Sequence, residues 1–218
     1  ENHPNSRLEI IVVDNASKDN SADKLAAEYP DLIVIKNRQN NGYAKANNQA
    51  IPIASGRILI FMNSDTEILS MDTFRHIQHN FSKYSDYGIL GGQLVTLNGK
   101  SQSGARHFAD IWQLTKQYLF FLDRISPKKQ TNTTDPVAVD YVDGAFLCIR
   151  QHVMQKLGGF RTDFFMFAED MDLCWRAWKQ KFKVGMIPAL KIRHHHGAST
   201  RQDFTTALIN SVTNNTRF

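Results

Sequence analysis

The sequence predicts an α/β domain with a Rossmann-like, mostly parallel sheet flanked by helices. Two observations carry this. Three apolar runs, "LEIIVVD" (8–14), "LIVIKN" (32–37) and "GRILIFMNSD" (56–65), lack the polar alternation of a half-solvated strand and read as strands buried on both faces. Between them lie two segments of helical composition, "NSADKLAAEYP" (20–30) and "AKANNQAIPIA" (44–54). Strand, helix, strand, helix, strand implies parallel βαβ units covered on both faces.

Each element has a local reason. The first helix has a polar cap, good helix formers and Pro30 as its stop. Pro52 shortens or bends the second. "MDTFRHIQHNFSKY" (71–84) reads as a third helix, "YGILGGQLVT" (87–96) as a strand, and "LNGK" (97–100) as a turn. Between 101 and 136, "WQLTKQYLFFL" (112–122) suits a helix and "SPKKQTNTTDP" (126–136) a polar loop. Order returns at "VAVDYVDGAFLCIR" (137–150), followed by a short helix "QHVMQKLGGF" (151–160). A helix over 169–179, a strand "FKVGMI" (182–187), Pro188 and "LKIRHHHGAST" (190–200) complete the chain.

The 218 residues suffice for one sizeable domain with a real core. A net charge of +5 suits an anionic ligand and is too small to argue for nucleic acid. Cys148 and Cys174 form no CxxC pair, which excludes a zinc ribbon and a disulfide scaffold and points to a reducing compartment. No apolar stretch reaches the roughly 20 residues of a membrane helix, and no signal peptide is visible.

Ligands of open parallel sheets bind beyond the carboxyl ends of the strands. Asp14 ends the first strand and Asp65 follows the third. A carboxylate there can accept hydrogen bonds from a base or ribose, or coordinate a cation. "DNAS" and "NSDT" are also good turn sequences, which is the plainer reading of each acid alone. Neither G-x-G-x-x-G nor a P-loop follows either strand, so those phosphate sites are not supported.

Six segments occur in a fixed order: "IIVVDNASKDNS", "NRQNNGYAKANNQAI", "ILIFMNSDTEI", "VDGAFLCIR", "GGFRTDFFMFAEDMDLCWRA" and "HHHGAS". In this the chain resembles the family 2 glycosyltransferases of the GT-A fold, and within them the rhamnosyltransferase-like branch that builds bacterial surface polysaccharides. The resemblance runs from Leu8 to Ser199 and is weakest over 101–136. It implies a single GT-A domain over 1–218, with a nucleotide-binding half over about 1–100 and an acceptor half over about 101–200.

The resemblance implies further that a nucleoside-diphosphate sugar lies over the strand ends with a divalent metal on its diphosphate. Asp14 would bind the nucleobase, and Asn41, Gly42, Asn47 and Asn48 would lie near the nucleotide. Glycine there lets backbone approach phosphate, and asparagine offers both donor and acceptor. "NSD" (63–65) stands at the family's D-x-D position with Asn63 in the first place, leaving Asp65 as its carboxylate ligand; Glu67 could assist. Oxygen ligands of this kind suit Mg²⁺ or Mn²⁺. The second protein ligand would be His194, with His196 as fallback. In an extended "HHH" those two share a face and His195 points away, so the three do not form a zinc site.

Three acids in "FFMFAEDMDLCWRAW" (164–178) need sorting. On a helix, Met171, Cys174, Trp175 and Trp178 fall at i, i+3, i+4 and i+7 and form the expected buried stripe. Asp172 and Arg176 are then an i, i+4 ion pair. Asp170 lies on the other flank without a local partner, where burial would raise its pKa and the helix dipole would oppose the rise. Asp170 is therefore the expected general base, taking the proton of an acceptor hydroxyl that attacks the anomeric carbon with inversion; Glu169 is the alternative. The family's "ED" pair points to the same residue. Asp143 and Gly144, in "VDGA", match a segment beside the sugar and acceptor pocket.

The implied partners are a nucleoside-diphosphate sugar and a saccharide acceptor, lipid-linked in the family, at the cytosolic face of the membrane through peripheral contact. Two rival readings remain. A nucleotidyltransferase would need neither the "ED" helix nor the downstream histidine. A catalytically impaired sugar-nucleotide-binding module would fit the reduced "NSD". Family members also carry a strand and helix, about 30 residues, before "VVDNAS", whereas seven residues precede Leu8 here. The native chain is accordingly expected to be longer at both ends. Without that strand the sheet would have a gap and would bind the donor poorly.

Overall fold

The computed structural model describes residues 8–102, 105–106, 133–164 and 168–195. The expected helix at 112–122, most of the polar loop and His196 lie outside them.

The chain opens with β1 (Ile11–Asp14), α1 (Ser21–Glu28) and β2 (Ile33–Lys36), and β1 pairs with β2 in parallel. Helix α2 (Gly42–Ala50) begins two residues earlier than its composition suggests. Gly42 takes φ 76°, and the Asn40 side chain accepts its N–H at 2.9 Å. Next come β3 (Ile58–Met62), a short unforeseen β4 (Thr66–Ile68), α3 (Thr73–Lys83) and β5 (Tyr87–Val95). The remainder is β6 (Ala105–Arg106), β7 (Val137–Ala138), β8 (Tyr141–Val142), β9 (Phe146–Arg150), α4 (Gln151–Leu157), α5 (Glu169–Lys179) and β10 (Lys183–His194).

The main sheet has the order β3-β9-β5-β10-β4, with β7 also pairing with β10. β5 and β10 are parallel, and β9 runs antiparallel between β3 and β5. Thus β3, β5 and β10 run one way, and the inserted β9 delivers the 143–145 turn to the carboxyl end of β3. Pro188, read as a break between two strands, instead interrupts one: β10 shifts register between Ile187 and Lys191 and then resumes. A bulge accommodates a residue with no N–H to give to the ladder. Among the described residues β1 pairs only with β2, and β3 only with β9. A side chain bridges the two sheets: the Glu9 carboxylate accepts the Ser55 N–H (2.7 Å) and hydroxyl (3.1 Å).

Alternation along β9 builds both cores. Leu147 and Ile149 face one cluster with Ala44, Leu59, Ile89, Met154 and Leu173. Phe146 and Cys148 face the other with Ile77, Phe81, Leu90 and Ile192. β5 and β9 are buried on both faces, as their continuous apolar runs require. β1 and β2, expected to be buried on both faces, are not, since β1 is half-buried along its length and Ile33 of β2 is exposed.

The stripe expected on α5 is corrected. The helix buries Leu173, Cys174 and Ala177, while Trp175 is 43% exposed beneath the Lys179 ammonium. Trp178 is partly buried and donates its indole N–H to the Asp140 carbonyl at 3.0 Å. The helix is turned by about one residue, ~100°, because Asp172 can go inside: its carboxylate is 2.6 Å from Arg176 Nε and 3.6 Å from Arg161.

Candidate active site

At the end of β1, Asp14 Oδ1 accepts the Ser17 N–H at 3.1 Å, closing a turn in which Ala16 has φ 70°. Asn15, which the sequence reading passed over, organises the neighbouring loop. Its Oδ1 accepts the Asn41 N–H (3.0 Å) and the Asn37 amide (3.2 Å), and its Nδ2 donates to Asn40 (2.7 Å). The available signal was composition: an asparagine at a strand end facing the asparagines of 37–41. Asn41 and Gly42 thus enter α2 with defined backbone. Asn47 and Asn48 are otherwise engaged. The Asn47 amide donates to the Tyr43 carbonyl at 3.0 Å, and Asn48 clamps Phe160 by donating to its carbonyl (2.8 Å) and accepting its N–H (2.9 Å). Gly159 is needed beneath that clamp, since φ is 83° and a Cβ would sit 2.8 Å from Asn48 Oδ1.

A second turn follows β3. Thr66 donates its N–H (3.1 Å) and hydroxyl (2.6 Å) to the Asn63 carbonyl, and the Asn63 N–H donates to Ala145 (3.1 Å). β4 then pairs antiparallel with β10, setting His194 opposite Thr66. This brings His194 Nε2 to 3.4 Å from Asp65 Oδ1, with both side chains only 9% exposed. Asp65 Oδ1 is buried without a hydrogen-bond partner. An orphaned carboxylate oxygen beside an imidazole fits a cation site made of these two residues, completed by ligand oxygens or water. Among the described residues no group of three or more His, Cys, Asp or Glu is arranged to hold a metal ion by itself. Glu67 is held by Arg193 at 2.6 Å and lies 3.7 Å from His195, which is half exposed on the opposite face.

The third turn, 143–145, links the others. Asp170 Oδ2 accepts the Gly144 N–H at 2.8 Å, and Oδ1 accepts the Met171 N–H at 2.7 Å. Tyr43, at the start of α2, donates its hydroxyl to the Gly144 carbonyl at 2.8 Å. Asp143 Oδ1 accepts the Ala145 N–H at 2.9 Å. The start of α2, next to the Asn41–Gly42 loop, the Asp65 turn and Asp170 are therefore joined through two consecutive residues, Gly144 and Ala145. Burial, then the Asp143 charge, pushes the Asp170 carboxyl up to about 6, against the pull of its backbone N–H donors. Burial and the Asp170 charge push Glu169 up to about 8, and its Oε2 is buried without a partner. The two acids cannot both be fully charged at neutral pH.

Residues 1–156 match the family model for glycosyl transferase family 2. The chain belongs to that family. The match covers Asp14, Asp65 and the 143–145 turn, whereas Asp170 and His194 lie beyond it. Relatives reach further. The low-salt glycan biosynthesis hexosyltransferase of Haloferax volcanii is 24% identical over 194 residues, covering 86% of this chain and 59% of its own. Rhamnosyltransferase WbbL of Escherichia coli is 24% identical over 176 residues, covering 76% and 65% respectively. This family 2 chain thus spans about six tenths of the length of these relatives. Among solved structures, GalNAc-T7 with UDP, GalNAc and Mn²⁺ matches at TM-score 0.65 and 17% identity over 88% of this chain and 38% of that one. The mannosyltransferase PcManGT of Pyrobaculum calidifontis, with GDP-Man and Mn²⁺, matches at TM-score 0.58 and 19% identity over 88% and 49%. These likenesses show the GT-A fold, in agreement with the α/β class read from the sequence.

Proposed function

We propose that this family 2 domain transfers a sugar from a nucleoside-diphosphate donor to a hydroxyl of a saccharide acceptor, with inversion and with Asp170 as base. The observation that carries this is Asp170 itself. It is a carboxylate fixed by the Gly144 N–H, raised toward neutrality, and joined through one turn to the nucleotide-side loop and the Asp65 turn. The acceptor O–H proton passes to Asp170, the oxygen bonds to the anomeric carbon, and that carbon's bond to the diphosphate breaks with its electron pair leaving on the nucleotide.

Asp14 and the loop ordered by Asn15 hold the nucleoside; Asn41 and Gly42 approach the diphosphate. Asp65 and His194 would hold a divalent cation, Mg²⁺ or Mn²⁺, whose role when bound is Lewis-acid stabilisation of the leaving group's charge. Asp143 and Gly144 border the sugar. The relatives' names favour a hexose, and likeness to WbbL favours rhamnose, in surface-polysaccharide synthesis. The acceptor we infer is lipid-linked, which would bring the protein to the inner membrane face by peripheral contact. No described helix is long and apolar enough to cross a membrane.

Asp170→Asn should lower transfer by about 10²–10⁴-fold while metal-dependent nucleotide binding survives. Normal turnover by that variant would remove Asp170 from the base's role.

A further inference from the structure

Tyr43, on α2, reaches the 143–145 turn. Its hydroxyl donates to the Gly144 carbonyl at 2.8 Å, while the Gly144 N–H donates to Asp170 Oδ2 at 2.8 Å. Gly144 is thus restrained on both sides, one bond facing α2 and the other facing α5. The Tyr43 ring is held independently, edge-on to Phe160 at 5.6 Å, and Phe160 is fixed by the two Asn48 bonds. Space allows little play, since a Cβ at Gly144 would lie 3.3 Å from the Tyr43 hydroxyl and 3.4 Å from Asp170.

We propose that Tyr43 is a positioning residue for the reaction: by holding Gly144 it keeps the Gly144 N–H on Asp170 and ties that carboxylate to the nucleotide-side loop that precedes α2. This rests on the reading of Asp170 as the base. Among the described residues, the groups that interact with Asp170 are Glu169 and Cys174 on its own helix, Asp143 on the β8–β9 turn and Tyr43 on α2. Tyr43 stays neutral, since burial and the three surrounding acids raise its pKa well above the usual phenol range. Its effect on Asp170 is therefore exerted through the Gly144 N–H, which stabilises the charged carboxylate.

The test is Tyr43→Phe, which retains the ring against Phe160 and removes only the hydroxyl. Asp170 is titrated by the ¹³C shift of its carboxyl carbon, without substrate, alongside kcat and nucleotide Kd. A loosened Gly144 donor should raise the Asp170 titration by about half a unit. It should lower kcat by about three- to tenfold and leave nucleotide Kd unchanged. An unmoved Asp170 titration would overturn the proposal, as would loss of nucleotide binding in step with kcat, which marks a merely structural role. Asp170→Asn is the control for the underlying reading. If it turned over normally, the base assignment would fail, while a displaced titration in Tyr43→Phe would still establish the coupling.

Discussion

Asp170 and Asp172 stand two residues apart on one helix with opposite assignments. Asp172 is 1% exposed and pairs with Arg176, whose guanidinium also donates to the Leu157 and Gly159 carbonyls at 2.6 and 2.9 Å. It is a bolt between α4 and α5. Asp172→Ala should destabilise by about 3 kcal/mol, since it leaves the part-buried Arg176 guanidinium without its counter-charge; a thermal-unfolding loss under about 1 kcal/mol would contradict this. Asp170 and Glu169 behave in the other sense. Their folded pKa values, about 6 and about 8, lie above their unfolded ones, so the folded state binds more protons. Their contribution to stability is therefore present at low pH and is lost as pH rises through the 4–6 window for Asp170 and the 4–8 window for Glu169. Asp170→Asn should accordingly be more stable than the parent at pH 8, by on the order of 2 kcal/mol, and the gain should vanish near pH 4 in denaturant titrations. Activity should fall as pH drops through the pair's lower apparent pKa.

At the scale of elements, α5 shows where reading ahead succeeds and fails. Its bounds and its Asp172–Arg176 pair were legible, because both depend on spacing alone. Its buried face was not, because that depended on whether the interior could neutralise an acid. Arg161, from a loop eight residues before the helix, adds a second, longer contact to Asp172 at 3.6 Å that spacing along the helix does not show. The outcome is measurable: Leu173→Ala should cost about 2–5 kcal/mol, and Trp175→Ala under about 1 kcal/mol. Comparable losses would restore the face drawn from the tryptophans. α2 tells a similar story. Its asparagines read as nucleotide ligands, yet Asn47 and Asn48 spend their amides on backbone, as only the fold could show. Asn48→Ala should therefore act on stability first, costing about 1–3 kcal/mol for two unpaired backbone groups at Phe160, with nucleotide Kd little changed.

For the whole molecule, the order of the main strands and helices was readable from apolar runs; burial on both sheet faces explains that mark for β5 and β9, but not for the half-buried β1 and partly exposed β2. The neighbour relations were not. β9 entering antiparallel between β3 and β5 is a non-local choice, and it is this choice that carries Gly144 to Asp170 and Ala145 to Asn63. The acids were therefore identifiable one at a time, while their connection through a single turn appears only in the folded chain. The central claim is that of two adjacent raised carboxyls, Asp170 is the one that accepts the proton of the acceptor hydroxyl. Asp170 is held by two N–H donors that favour its charged form, whereas Glu169 Oε2 has none. The most direct test compares Asp170→Asn and Glu169→Gln in single-turnover transfer at saturating donor and metal. The account predicts a loss of about 10²–10⁴-fold for Asp170→Asn and less than about tenfold for Glu169→Gln. The reverse ranking would contradict it.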